Sequence, residues 1–197
     1  FFRWEFAVAV ASTSISVYPF DQPNVESGKA VTRELLSTPN TSGALTPSMA
    51  DIDIDAVKNA KQGDYVAILG FMPESEEVDA AISKLRIAIT NRTGVATTFG
   101  YGPRYLHSTG QLHKGGPGSV IGLALVAGNE EALAASRVVA DGTQESARDL
   151  NNGFASLFVA QVLGDLEALR STGRRNTLVV LKTPYAKAIR RIAESLS

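Results

Sequence analysis

The chain has 197 residues, 44% of them hydrophobic, with 19 lysines and arginines against 20 aspartates and glutamates, two histidines and no cysteine. At about 100–200 residues per domain this is one core's worth of chain, and a formal charge of −1 gives no basic footprint for nucleic acid or an anionic membrane surface. The lack of cysteine excludes disulfides, thiolate metal sites and a cysteine nucleophile, which fits a cytoplasmic protein.

The first stretch predicts a helix over 2–16, ended by Tyr18-Pro19, because the residue before a proline is driven out of the helical region. Its apolar run, Phe6 to Val17, is broken by hydroxyls and falls short of the ~20 residues that a spanning helix needs. It also lacks the basic start and cleavage pattern of a signal peptide. It therefore reads as a buried helix, and one this apolar is expected to pack on more than one side. The opening on Phe1, with no initiator methionine, is what a piece cut from a larger protein would show, and the missing part is then expected to contribute packing to this helix.

A second helix is expected to about Leu36, with Asp21 as its cap and Pro23 in the first turn, where proline is tolerated. Lys29 falls roughly two turns inside it. Residues 37–55 are rich in Ser, Thr, Pro and Asn and read as an exposed loop. Tyr65 to Phe71 is a continuous apolar run, the pattern of a strand covered on both faces. Val78, Ile82, Leu85 and Ile89 give helical spacing over 74–92. Val95 to Phe99 and Val120 to Val126 are the next strands, and a glycine- and proline-rich segment joins them. A helix near 130–139, a long helix over 153–171, a strand from Thr177 to Leu181 and a helix over 184–195 complete the order. Strands alternating with helices imply parallel pairing, hence an α/β fold with a three-layer α/β/α sandwich around a mainly parallel sheet. Ligands of such sheets sit beyond the carboxyl ends of the strands, where the segment after Phe99 begins.

That segment, Tyr101 to Pro117, holds both histidines, a hydroxyl pair and the cations Arg104 and Lys114. His107 and His113 are six apart, off one helical face, with no carboxylate third ligand nearby, so they make a poor metal pair. The histidine side chain suits proton transfer near neutral pH. The same rings could equally bond to backbone and fix the turn, so the residues leave a structural and a catalytic role open. Ser108, Thr109 and Gly110 could offer hydroxyls and amides to a phosphate, although the segment matches neither the phosphate-loop nor the dinucleotide pattern. Lys29 has Glu26 three residues earlier, the spacing of an ordinary surface ion pair. The alternative is a lysine held toward an anionic ligand.

Trp4-Glu-Phe-Ala followed by Phe20-Asp-Gln-Pro-Asn-Val-Glu-Ser-Gly-Lys29 resembles the signature near the C-terminus of glucose-6-phosphate isomerases, which ends in an active-site lysine. Asn24 stands where most members have glycine. The run Gly100-Tyr-Gly-Pro-Arg-Tyr-Leu-His-Ser-Thr-Gly-Gln-Leu-His-Lys-Gly-Gly-Pro117 is similar to the C-terminal part of the bifunctional transaldolase/glucose-6-phosphate isomerases. Gly63-Asp-Tyr-Val-Ala and Leu163-Gly-Asp-Leu-Glu-Ala-Leu169 extend the resemblance over nearly the whole chain, least well at 37–55 and 128–150.

The resemblance implies a single sugar-isomerase (SIS-like) domain over 1–197, the C-terminal fragment of a larger isomerase. The implied reaction is the interconversion of glucose 6-phosphate and fructose 6-phosphate through an enediol, with no cofactor and no metal. It assigns catalysis to Lys29, which favours negative charge on the substrate and helps ring opening, and to His107. Substrate binding falls to Gln22, Glu26, Arg104, Ser108, Thr109, Gln111, His113 and Lys114. The order around His107 matches ordinary isomerases only across a gap, and there the histidine precedes the lysine. Neither the family's base-bearing motif nor its phosphate loop is recognisable. The expected partners are therefore a sugar phosphate and the remaining isomerase domain of the parent chain, with a homodimer left open and no nucleic acid or membrane. The alternative is a non-catalytic sugar-phosphate-binding or packing module.

Overall fold

The computed structural model describes residues 1–21, 23–37, 54–127 and 154–196. In chain order these form α1 (Phe2–Ser14), α2 (Pro23–Ser37), α3 (Asp55–Lys58), β1 (Tyr65–Phe71), α4 (Glu76–Thr93), β2 (Ala96–Tyr101), a 3₁₀ turn (Arg104–Leu106), α5 (Ser108–Gly115), β3 (Val120–Ala127), α6 (Phe154–Ser171), β4 (Arg175–Leu181) and α7 (Tyr185–Glu194). The strands make one sheet in the order β2-β1-β3-β4, and every neighbouring pair is parallel. The register sets Tyr65 opposite Ala96 on one side and Val120 on the other, and Ile121 opposite Arg175.

Period-two alternation on the two central strands divides the core. Val66 and Ile68 of β1 and Ile121, Leu123 and Leu125 of β3 meet α4 and α7 through Ile82, Leu85, Ile89, Ile189 and Ile192. Ala67, Leu69 and Phe71, with Ala124 and Val126, face the other way, toward Val162, Leu166 and Leu169 of α6. Helices thus cover both faces of the sheet, as continuous apolar strands require. On the first face α4 starts at Ser75, whose hydroxyl accepts the Val78 amide at 3.2 Å. It stops at Gly94, whose φ of 74° is left-handed and natural to glycine. On the second face α2 packs against α6 and α5 and lies outside α6.

The first helix departs from expectation. It ends at Ser14 rather than at 16, and Ser16 takes a left-handed φ of 55°. Instead of being buried it stands clear of the sheet, with Phe2 76% and Trp4 78% exposed. Its apolar residues are spread around the whole helix, so no single face directs it onto the core. The segment after β2 also differs: in place of a glycine- and proline-rich loop it winds into the 3₁₀ turn and α5. The expected loop at 37–55 lies outside the described residues except for its ends, where Ser37 closes α2 and Ile54 is buried. The helix expected near 130–139 lies wholly outside them. Among the described residues no helix is long and apolar enough to cross a membrane.

Candidate functional site

A cleft of about 410 Å³ opens between α2, the 3₁₀ turn, α5 and α6. From α2 come Lys29, Thr32 and Arg33, from the start of α5 His107, from its end Lys114, and from α6 Gln161 and Asp165. Helical spacing explains the grouping, since Lys29 and Arg33 are one turn apart on α2, as are Gln161 and Asp165 on α6.

At the rim, the Lys29 ammonium meets Glu26 Oε1 at 2.7 Å and the Arg33 guanidinium lies 3.9 Å from Glu26 Oε2, with all three side chains more than half exposed. The hydrogen bond from Lys29, and then its charge, hold the Glu26 carboxyl below its usual range. The ordinary surface pair expected from the spacing is present, and it sits at the mouth of the cleft. An exposed pair of this kind contributes little to stability.

At the floor, the Lys114 ammonium is ion-paired with Asp165 Oδ1, and the two side chains are only 2% and 3% exposed. The Tyr105 hydroxyl donates to Asp165 Oδ2 at 2.6 Å. Burial first, then the Asp165 charge and this hydrogen bond, push the Tyr105 hydroxyl well above its ordinary pKa, so it stays a donor. A charge is tolerated at such depth only when paired and hydrogen-bonded. Gly28 and Gly110 leave room for it: a Cβ on either would come within 3.4 and 3.5 Å of Lys114 Nζ.

The α2 wall is fixed at two points. Asn24 and Gln111 bond reciprocally, the Asn24 amide N–H to Gln111 Oε1 at 3.0 Å and Gln111 Nε2 to Asn24 Oδ1 at 2.9 Å. Further along, α2 crosses α6 so closely that a Cβ on Gly164 would lie 2.4 Å from Thr32 Oγ1.

Of the residues singled out in the sequence, Lys29, His107 and Lys114 line the cleft. Glu26 holds Lys29, and Gln111 ties α5 to α2. His113 is buried and points elsewhere, with Nδ1 2.8 Å from the Tyr65 hydroxyl. Arg104 turns away to Glu74 and lies 5.8 Å over the Tyr101 ring. Ser108 and Thr109 are exposed in the first turn of α5 and are not among the cleft residues. Gln22 lies outside the described residues. The sequence reading missed Arg33, Thr32, Gln161, Asp165 and Tyr105. Asp165 left one legible signal, a carboxylate inside the otherwise apolar face of α6.

Among the described residues no cluster of three His, Cys, Asp or Glu could hold a metal ion. A larger hollow of about 680 Å³ lies between the amino ends of α4 and α7, where Glu74 and Glu77 face the same space as Lys187 and Arg190. It has no buried charge.

No family model matches the chain, and no curated protein does. Among solved structures, the crystal structure of a hypothetical protein, TT0462 from Thermus thermophilus, is similar, with a TM-score of 0.48 and 16% sequence identity. The match covers 89% of this chain and 43% of that one, so the chain spans less than half the length of that protein.

Proposed function

We propose that the chain supplies part of a sugar-phosphate isomerase site, for interconversion of glucose 6-phosphate and fructose 6-phosphate through an enediol, in the cytoplasm and without metal or organic cofactor. The observation that carries this reading is that Lys29 and His107, from distant stretches of sequence, line one cleft. Its volume is of the few-hundred-Å³ size that takes one small ligand. Lys29 and Arg33 favour an anionic ligand, and His107 is a proton carrier for ring opening.

Proton transfer between C1 and C2 needs a free carboxylate base. The cleft's own carboxylate, Asp165, is engaged by Lys114 and Tyr105. The base is therefore assigned to the remaining isomerase domain of a parent chain, or to a second copy, and the isolated chain is expected to bind substrate without turning it over. Calorimetry should register fructose 6-phosphate binding at millimolar affinity or tighter, lost in His107→Ala. Ready turnover by this chain alone, abolished in Lys29→Ala, would sink the incomplete-site reading.

The packing-module alternative draws on the structural use of Gln111 and Asn24. It predicts no binding, and a large fall in melting temperature in His107→Ala.

A further inference from the structure

We infer that the buried Lys114–Asp165–Tyr105 cluster is a clasp that sets His107 and Lys29 against one another at the cleft, with Asp165 and Tyr105 as positioning residues that touch no ligand. The inference rests on the reading of Lys29 and His107 as one site and adds what holds them there.

His107 does not place itself. It joins the 3₁₀ turn to α5 with φ −73° and ψ −126°, outside the helical region, and its side chain makes no cap hydrogen bond. The ring is exposed and has no hydrogen-bond partner among the described residues. Its position is therefore inherited from the backbone on either side, and both sides lead to Asp165. Tyr105, two residues earlier, donates its hydroxyl to Oδ2 at 2.6 Å. Lys114, in the last turn of α5, pairs with Oδ1. One carboxylate from α6 thus receives both ends of the segment that carries His107.

The neighbouring elements seat on the same cluster. The Tyr105 ring stands edge-on to Phe71 of β1, with centroids 5.7 Å apart at 82°, and a Cβ on Gly100 would lie 2.9 Å from the Tyr105 Cβ. The turn is therefore held against the sheet as well as against α6. On the other wall, a Cβ on Gly28, the residue before Lys29, would come within 3.4 Å of Lys114 Nζ. So α2 rests on the ammonium at the point next to Lys29, and both site residues are referred to one buried group. The chemistry of that group suits positioning better than stability. A buried ion pair gains little over apolar residues of similar volume, because desolvation offsets the attraction. What it adds is direction: apolar burial has none, whereas hydrogen bonds hold their partners at a set distance and angle.

The test follows the His107 ring by NMR, beside calorimetry with fructose 6-phosphate. The chain has two histidines, so it gives two ring Hε1 resonances, and His107→Ala identifies the relevant one. Tyr105→Phe keeps the ring packing and removes one hydrogen bond. The triple variant Tyr105→Phe/Lys114→Met/Asp165→Val removes every polar group of the clasp together and leaves none unpaired, an exchange that buried sites generally tolerate. If the triple variant does not fold, Tyr105→Phe alone decides. Ile82→Val in α4, buried on the opposite face of the sheet, controls for loss of stability alone. The clasp variants are expected to shift or broaden the His107 resonance and to weaken fructose 6-phosphate about tenfold, the worth of one misplaced hydrogen bond to a charged ligand. Ile82→Val should melt earlier with resonance and affinity unchanged. An unmoved His107 resonance in the clasp variants overturns the inference, and so does a moved resonance with unchanged affinity. An Ile82→Val protein whose His107 resonance moves as far as theirs reduces the clasp to general packing and overturns it too. A wild-type chain that binds no fructose 6-phosphate overturns the proposed function instead, and the His107 resonance, read without ligand, then decides the clasp by itself.

Discussion

His113 and Lys114 are adjacent in sequence, yet their side chains enter different surroundings. Lys114 runs into the cleft floor, whereas His113 is 3% exposed and shares a hydrogen bond with the Tyr65 hydroxyl. Burial lowers the His113 pKa below its ordinary value, and the Lys114 charge adds to that against the opposing pull of Asp165. The folded state therefore holds this ring neutral while the unfolded chain still takes up a proton near pH ~6.5. Stability from this group is complete above that pH, and is lost as pH falls from it toward the depressed folded value. The slope is at most about 1.4 kcal/mol per pH unit while one proton separates the states. His113→Gln, which can keep a bond to Tyr65, is expected to flatten the melting temperature between about pH 7.5 and 5.5. An unchanged slope in the variant would falsify the assignment. At this scale residue chemistry did not separate the two histidines and the resemblance gave His107 catalysis and His113 substrate binding; the packing of α5 puts His107 at the cleft and His113 in the core.

At the scale of elements, the site depends on how α2 lies on α6. The Thr32 hydroxyl donates within α2 to the Gly28 carbonyl oxygen at 2.9 Å, and the crossing brings it 3.5 Å from the Ala160 carbonyl oxygen of α6. A methyl at Gly164 would enter that contact, 2.4 Å from the Thr32 oxygen. Gly164→Ala is expected to cost ~1–3 kcal/mol, the usual penalty for overpacking, or roughly 2–4 °C of melting temperature per kcal/mol at this chain length. It should also weaken fructose 6-phosphate binding, because the displaced helix carries Lys29 and Arg33 into the cleft. Thr32→Ala in the same chain should recover part of both losses. A Gly164→Ala protein with unchanged melting and binding would show that α2 does not sit on α6 in this way. Most elements were legible from periodicity, as at α4, where Val78, Ile82, Leu85 and Ile89 are all buried. Short α3, the 3₁₀ turn and α5 were not foreseen; in α5 the glycines argue against a helix locally, and burial of His113 and Lys114 overrides that preference.

For the whole molecule, the sheet gives the chain its frame, and α1 stands outside it. The only tryptophan of the chain, Trp4, lies on that helix and is 78% exposed. Its fluorescence is expected to be that of a solvated indole, open to iodide quenching. Trp4→Ala should leave the melting temperature within about 2 °C of wild type, as for surface positions generally. A blue-shifted, quencher-protected tryptophan, or a large loss of stability in the variant, would mean that α1 is packed.

The sequence alone determined the α/β class, because unbroken apolar strands alternating with amphipathic helices have few other ways to bury both faces. It also singled out Lys29, His107 and Lys114 as chemistry-bearing residues. The strand order β2-β1-β3-β4, the depth of the Lys114–Asp165 pair and the inclusion of Arg33 in the cleft were decided only by the tertiary structure. Local patterning records which face of an element is apolar, but not which distant element covers it. A buried ion pair exists only once two helices far apart in sequence exclude water from both partners.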